Sequence, residues 1–486
     1  MRMRLDQIVE GVVSAEITGD PGLEITGLAY DSRRVVEGGL FFCVTGMESD
    51  GHDFAAAAVE NGAVALVCER PTGLGVTEVL EDETRRAMAP IAAAFYGDPT
   101  RDLKVAGITG TNGKTTTAFL LHDILEGSGI HSGLMGTVKQ LVGGEEEAVV
   151  RTTPESVDLQ STFRRMEEAG DEACVFEASS HALALGRCDR IDFDLAVFTN
   201  LTQDHLDFHT DMEDYFSAKR LLFEAGPGTS VVNIDDPYGQ RLAVDFDVIT
   251  YSAEGSAADY SASDIAFDAA GAGFSVESEH GVMSVRTGLP GRFNVANALA
   301  ALAGAIALGV EPGDAVAALS DAGRVPGRFE PIDAGQQFLV LVDYAHTPDS
   351  VENVLRAARD ITAGRLIVVV GAGGDRDRSK RPLMGRAGSE LADHTVVTSD
   401  NPRSEEPELI IEDILDGIAD REEVTVEVDR SEAIRLAVGM AEPGDTVVIA
   451  GKGHEQGQEF KDGHKIPFDD REVARTHLLD LGEGAT

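Results

Sequence analysis

Along this chain of 486 residues, short uninterrupted apolar runs alternate with longer segments in which apolar positions recur every three to four residues. The first pattern predicts buried strands and the second predicts helices with one buried face. From residue 1 to about 100, the runs Leu23 to Ala29, Leu40 to Val44 and Ala63 to Val67 alternate with turns such as DSRRVVEGG and a helical DFAAAAVENG, which predicts a small α/β unit. The polar, proline-containing DPTRDLK at 98–104 marks a boundary. Beyond it, VAGITGTNGKTTTAFLLHDILEGSG reads as strand, glycine-rich turn and helix, with Ala118, Leu121 and Leu125 on one face and Gly127 at its end.

Further strands are expected at Ala173 to Glu177, Leu195 to Asn200 and Ser230 to Ile234, with helices between them, an alternation that implies a parallel sheet. A last block opens near Val325 at VPGRFEPI; FLVLVDY, RLIVVVGAGG, HTVVTSDNPR and DTVVIAGKGHE are its strands, in a doubly wound pattern. The expected fold class is therefore α/β with three domains: a small N-terminal α/β domain over 1–100, a central P-loop domain with a mainly parallel sheet over 101–325, and a C-terminal Rossmann-like domain over 326–486.

Two segments bear on location. Phe293 to Val310 is uncharged for 18 residues, long enough to consider as a membrane span, but it is rich in Ala and Gly and holds Asn294 and Asn297, so a buried helix is expected and no membrane insertion. The opening MRMRLDQIVEGVV meets Asp6 and Glu10 before a signal-like apolar stretch develops, which points to the cytoplasm.

Charge narrows the partners. Acidic residues number 85 against 40 basic ones, a formal net charge of −45, and only 8 of the basic residues are Lys. Such a surface repels phosphate backbones and anionic lipid, which argues against nucleic acid as a partner. A salt-rich cytosol and drift in an Arg-favouring genome both remain open as its origin. Cys43, Cys68, Cys174 and Cys188 lie far apart with no metal-binding spacing, as expected of reduced, buried thiols.

The chemistry starts at Gly107-Ile-Thr-Gly110-Thr111-Asn112-Gly113-Lys114-Thr115-Thr116. A glycine-rich turn between strand and helix lets backbone N–H groups approach phosphates, the lysine reaches the outer phosphates, and the following hydroxyl suits Mg²⁺. A strict P-loop would place Gly at 108, where this chain has Ile. ATP or GTP binding follows. Glu177 and, farther on, Asp204-His205 close neighbouring strands; a carboxylate and an imidazole there could hold metal ions, although either alone is more often structural. Lys219, in YFSAKRLLF, reads from spacing as a solvated charge. In the last block, GAGGDRDRSKRPLMGR gathers Arg376, Arg378, Lys380, Arg381 and Arg386, and Asp400-Asn401-Pro402-Arg403 and Gly451-Lys452-Gly-His454-Glu455 follow two further strands. Guanidinium groups beside carboxylates are the ingredients of an amino-acid site, or else a surface patch of ion pairs.

The ordered set GTNGKT, TTP (152–154), ExSSHAL (177–183), NLxxDHLDFH, SAKRLLF, GRFE (327–330), DYAHTPD (343–349), GGDRD, DNPR and GKGHE, with DSR (31–33) before it, resembles the Mur ligases over essentially the whole chain. The resemblance implies an enzyme, an ATP-dependent ligase of peptidoglycan precursor synthesis working through an acyl phosphate. It favours the members that add meso-diaminopimelate to UDP-N-acetylmuramoyl-L-alanyl-D-glutamate, with ATP and Mg²⁺ required and a monomer expected. It implies that Lys114 and Thr115 hold phosphate and Mg²⁺, that Glu177 and His205 are metal ligands, and that Lys219 is carbamylated and binds a second Mg²⁺. Gly110 to Thr116, Asn297, Arg328 and Asp343 would contact ATP. Ser32, Met47, Glu48, Ser49, Thr152, Thr153, Ser179 and Arg187 would contact the UDP-muramoyl dipeptide, although Leu185 stands where some relatives carry Gln. Arg376, Asp400, Asn401, Pro402, Arg403, Gly451 and Glu455 would form the diamino-acid site, Arg403 and Arg376 taking the carboxylate that lysine lacks. A lysine-adding ligase or one for a different cell-wall precursor is the alternative; a non-catalytic scaffold would have lost Lys114, Lys219 or His205, and all three are present.

Overall fold

Strands form where the sequence runs apolar without a break. LVLVD, LIVVV, HTVV and TVVIA become Leu339–Asp343, Leu366–Val370, His394–Val397 and Thr446–Ala450, buried at nearly every position, as parallel strands covered on both faces must be. The computed structural model describes residues 1–12, 16–46, 49–268 and 270–484. Contacts divide the chain into two units, one comprising Met1–Thr109, Gly129–Val197 and Ala218–Ser230, the other Gly110–Ser128, Phe198–Ser217 and Val231–Thr486.

In the first unit, one sheet runs in the order Glu16–Thr18, Thr77–Leu80, Ala63–Cys68, Gly39–Phe42, Gly27–Ala29, parallel except at its Glu16–Thr18 edge. Leu40 and Phe42 enter the core with Met88, Ile91 and Phe95 of the helix Thr84–Tyr96, whereas Phe41 enters the opposite core with Ala55 and Ala58, the two-residue alternation of a strand. A second run in this unit orders Glu145–Glu147, Gln140–Val142, Ser132–Met135, Ala173–Glu177, Lys104–Thr109 and Leu195–Phe198. Ala173–Glu177 pairs in parallel with both of its neighbours, so the ends of these strands open on one edge of the sheet. The antiparallel hairpin of Gln140–Val142 and Glu145–Glu147 was not anticipated, because its acid-rich second strand has no apolar run.

In the second unit, the sheet order Glu330–Pro331, Leu339–Asp343, Thr446–Ala450, Leu366–Val370, His394–Val397, Val424–Val426 is parallel apart from the first pairing. Val368, Val370 and Val448 face one core while Ile367, Val369 and Val447 face the other, which is the doubly wound arrangement the sequence predicts. Another part departs from strict βαβ alternation: after the parallel pair Thr229–Asn233 and Ile249–Ser252 come Tyr260–Asp268, Gly271–Ser278 and Gly281–Thr287, an antiparallel meander in which the middle strand pairs with the other two. Their mixed buried and exposed positions suit a sheet wetted on one face, a weaker signal than a buried run. The uncharged stretch forms the buried helix Arg292–Ala307, packed on Lys114–Gly127, and no helix among the described residues is long and apolar enough to cross a membrane. All four cysteines are free and buried, and burial pushes the Cys43 and Cys188 thiols up to about 12.

Candidate active site

The turn after Lys104–Thr109 has a backbone that favours glycine, with φ of +149° at Gly110 and +87° at Gly113. A Cβ at Gly110 would strike the Thr199 hydroxyl, and one at Gly113 the Asn297 amide oxygen. The turn is fastened to the segment after Leu195–Phe198: Thr111 N donates to Asn200 O at 2.9 Å, Asn112 N to Asn200 Oδ1 at 2.9 Å, and Thr199 Oγ1 to Asn112 O at 2.6 Å. Lys114 begins the helix Lys114–Gly127, and its Nζ donates to Gly110 O at 2.9 Å and Thr111 O at 2.8 Å, so the ammonium is held against the loop at a helix N-terminus, where an anion would bind.

Thr115 and Thr116 are buried behind it, and Arg328 Nη2 donates to Thr115 Oγ1 at 3.1 Å. The Arg328 guanidinium lies 4.5 Å from the centre of the Tyr344 ring. Asp343, the last residue of its strand, accepts from Phe329 N at 2.7 Å, and burial pushes its carboxyl up to about 6 against the opposing pull of Arg328. Asn297 accepts from Thr117 Oγ1 at 3.4 Å and donates to Asn294 Oδ1 at 3.3 Å. Asn112 Nδ2 donates to Asp349 Oδ2 at 2.8 Å at the start of the helix Pro348–Ile361. Asn297 thus reaches the start of the helix Lys114–Gly127 through Thr117, and Arg328 through Thr115, with Asp343 beside Arg328.

In the first unit, the Glu177 carboxylate is buried at the end of its strand and accepts from Thr137 N at 2.8 Å and Thr137 Oγ1 at 3.1 Å. Thr152 Oγ1 is 3.0 Å from Thr137 Oγ1, Thr153 Oγ1 donates to Glu177 O at 2.6 Å, and Ser179 N donates to Thr153 Oγ1 at 3.1 Å. Arg187 Nη1 donates to Thr153 O at 3.2 Å, and its Nη2 lies 2.9 Å from Glu155. The buried Glu155 carboxylate also meets Arg85 at 2.7 Å and Arg151 at 3.0 Å, so three guanidinium groups share one carboxylate beside Thr152 and Thr153. The resemblance marked Arg187 alone; Arg85, Arg151 and the shared Glu155 were not anticipated. Lys219, on the helix Met212–Glu224, is 1% exposed, which corrects the solvated position its spacing suggested. Ser32 starts the short 3-10 helix Ser32–Arg34 and its carbonyl accepts from Asn61 Nδ2 at 2.9 Å; Ser49 is exposed, and Met47 and Glu48 lie outside the described residues.

In the second unit, His205 has a left-handed backbone (φ 55°), and its Nε2 is 3.4 Å from Asp204 Oδ2. Asp204 is buried and also faces His346 at 3.7 Å and Lys380 at 3.5 Å; burial opposes its ionisation, but these cationic and hydrogen-bonding neighbours hold its carboxyl well below the usual carboxylate range. Among the described residues, no group of three or more His, Cys, Asp or Glu side chains gathers for a metal ion.

The loops after the last sheet's strands meet one another. Arg403, also left-handed (φ 52°), donates from Nη1 to Gly374 O at 2.7 Å and from Nε to Glu459 at 3.3 Å. Arg376 stands near it: a Cβ on Gly373 would lie 3.0 Å from Arg403 Nη1 and 3.9 Å from Arg376 Cγ. Asn401 Nδ2 donates to Glu455 Oε2 at 2.8 Å, and the fully buried Lys452 donates to that same oxygen at 2.9 Å and to Asn401 Oδ1 at 2.8 Å. Lys452 Nζ is 3.5 Å from Asp400, whose carboxyl stays low despite burial because of Lys452 and Arg430. Gly451 has φ +125° and its open side faces Asp400, while Pro402 is buried between Asn401 and Arg403. Lys452 is thus the counter-charge of this cluster, a role that its place in GKGHE did not reveal.

Comparison with known proteins gives three family matches along the chain: the Mur ligase family catalytic domain over residues 24–96, the Mur ligase middle domain over 108–305, and the Mur ligase glutamate ligase domain over 327–453. A protein of Geobacillus thermodenitrificans (strain NG80-2) named UDP-N-acetylmuramoyl-L-alanyl-D-glutamate--2,6-diaminopimelate ligase is 48% identical over 468 residues, spanning 94% of this chain and 95% of its own length. A solved structure of a ligase with that same name superposes with a TM-score of 0.71 at 33% identity, covering 99% of this chain and 100% of the other. The ADP complex of the MurF ligase from Thermotoga maritima shares the fold, with a TM-score of 0.66 at 21% identity over 94% of this chain and 97% of the other.

Proposed function

The chain belongs to the Mur ligase family and is an ATP-dependent acid–amino-acid ligase, and from that premise we propose that it joins meso-diaminopimelate to the D-glutamyl carboxylate of UDP-N-acetylmuramoyl-L-alanyl-D-glutamate. The observation that carries this choice is the Arg403 guanidinium beside Gly373, with the Arg376 stem next to it, close to the Asn401–Glu455–Lys452 cluster. Meso-diaminopimelate ends in an ammonium and a carboxylate, and this site offers a carboxylate for the first and guanidinium groups for the second. Lysine has no second, distal carboxylate for Arg403 to meet. The name carried by relatives of this identity supports the same substrate pair.

In the proposed reaction the dipeptide carboxylate oxygen attacks the γ-phosphorus of ATP, the bond to ADP breaks, and an acyl phosphate forms. The neutral amine of the second substrate then adds to the acyl carbon, and the tetrahedral intermediate collapses with loss of inorganic phosphate and a proton. The protein's task is charge neutralisation and placement rather than covalent chemistry. The loop amides from Gly110 to Thr116 and the Lys114 ammonium would hold the phosphates, and Asn297, Arg328 and Asp343 the rest of the nucleotide. Ser32, Ser49, Thr152, Thr153, Ser179 and Arg187 would orient the UDP dipeptide. The donor chemistry fits Mg²⁺: Thr115 and Glu177 supply hard oxygens, His205 an imidazole, and Lys219 an anionic oxygen donor once carbamylated. When bound, the ions supply charge neutralisation at the phosphoryl oxygens. We place the N-terminal domain (1–100) at the UDP-substrate, the central one (101–325) at ATP and the C-terminal one (326–486) at the amino acid, in a cytoplasmic monomer.

The test is phosphate release from ATP with purified UDP-N-acetylmuramoyl-L-alanyl-D-glutamate, with meso-diaminopimelate, lysine and ornithine offered in parallel. Release that depends on diaminopimelate is the expected result. No release with any amine would refute the function, and preference for lysine would refute the role of Arg403.

A further inference from the structure

The segment that carries His205 and the loop that carries Arg376 are joined by contacts to which the proposed reaction gives no task. Gln203 Nε2 donates to Asp377 Oδ2 at 3.1 Å and to Ser379 Oγ at 2.9 Å. Next to it, Asp204 Oδ1 lies 3.5 Å from Lys380 Nζ, in an ion pair whose side chains are only 8% and 6% exposed. Asp377 in turn accepts from Ser379 N at 2.9 Å and Ser379 Oγ at 2.6 Å, which makes residues 377–380 one hydrogen-bonded turn.

Lys380 is the first residue of the helix Lys380–Leu391. A cation there opposes the helix dipole, and burying it adds a desolvation penalty, so Lys380 is out of place without a buried anion opposite. Asp204 is that anion. The loop's other side is tied separately: Glu405 accepts from Asp375 N at 2.7 Å and pairs with Arg378 at 2.6 Å and Arg381 at 2.8 Å. Between the two tethers stands Arg376, exposed and directly before Asp377, so its backbone position follows from where the turn is pinned.

We infer that Gln203 and Asp204 are positioning residues that latch the 377–380 turn to the His205 segment and thereby fix where Arg376 meets the incoming diamino acid. This role rests on the diamino-acid function proposed above. It makes affinity for the amine depend on residues of the nucleotide-side segment that touch neither substrate.

Gln203→Glu sets a second carboxylate against Asp377 and releases the Gln203 side of the latch, with the buried Asp204–Lys380 pair left in place. The KM for meso-diaminopimelate is expected to rise about tenfold while the KM for ATP stays within about twofold. Adding Asp377→Asn gives the new carboxylate an amide donor, and the double variant is expected to return to within about twofold of the parent. Amide hydrogen exchange over 375–380 in the ligand-free protein should speed up in the single variant and recover in the double one. If the single variant leaves both the diaminopimelate KM and the exchange unchanged, or raises the ATP KM equally, the latch is refuted while the function stands. If the parent enzyme shows no diamino-acid-dependent phosphate release, the function is refuted and the positioning role with it.

Discussion

Asp343→Asn is expected to make the ligand-free protein more stable at alkaline pH while weakening its use of ATP. The Asp343 carboxyl is buried, accepts from Phe329 N, and is pushed by that burial up to about 6. Moving a carboxyl midpoint from its ordinary value near 4 to about 6 means that the ionised form costs the folded state about 3 kcal/mol. Because the folded value is raised, that cost is present in full above pH 6, fades as pH falls through 6, and is gone near pH 4, where the folded and unfolded chains are both protonated. An asparagine has the same shape and can still accept from Phe329 N, but it brings an N–H₂ group whose burial offsets about 1 kcal/mol. A net gain of about 2 kcal/mol at pH 8 is therefore expected, vanishing near pH 4. Urea unfolding at pH 4.5, 6 and 8 measures it, followed by circular dichroism because the chain has no tryptophan. A variant less stable than the parent at pH 8, or a difference independent of pH, would mean that Arg328 and the Phe329 amide more than compensate the charge.

Arg403→Ala should raise the KM for meso-diaminopimelate by about ten- to a hundredfold and leave the ATP KM nearly unchanged; equal loss of both would mean that the bond to Gly374 O is its whole role. Glu155→Gln removes the one carboxylate shared by Arg85, Arg151 and Arg187 and should destabilise the protein by about 3 kcal/mol in chemical unfolding; no measurable change would show that the three cations are already neutralised otherwise. With a net charge of −45, the thermal midpoint should climb as KCl rises to molar levels and the screening length shortens to about 3 Å, and a flat or falling midpoint would show that self-repulsion is not a main strain on the fold.

What could be read from the sequence was whatever is written in contiguous residues. The phosphate loop is legible because a strand, a glycine turn and a helix start follow one another within it, and the buried strands because a parallel sheet covered on both faces demands unbroken apolar runs. The helix Arg292–Ala307 is legible for the same reason. Contacts that join distant segments were not. Glu155 looks like an ordinary acid beside a proline, and only folding brings Arg85 and Arg187 to it. Asp204 reads as a neighbour of His205, whereas its partner Lys380 arrives from the start of the distant helix Lys380–Leu391. Lys219 is buried where helical spacing alone suggested solvent, and only the family resemblance singled it out.

The glycines of the phosphate loop also constrain how this sequence could have changed over time. Gly110 and Gly113 are hemmed in by Thr199 and Asn297, side chains far along the chain, the first bonded back to Asn112 O of the loop and the second to Asn294. A larger residue at 113 would need position 297 to shrink as well as a left-handed backbone to be tolerated, and Asn297 is held by its bonds to Thr117 and Asn294. Neither partner can therefore drift alone, and the two positions are expected to be inherited as a pair.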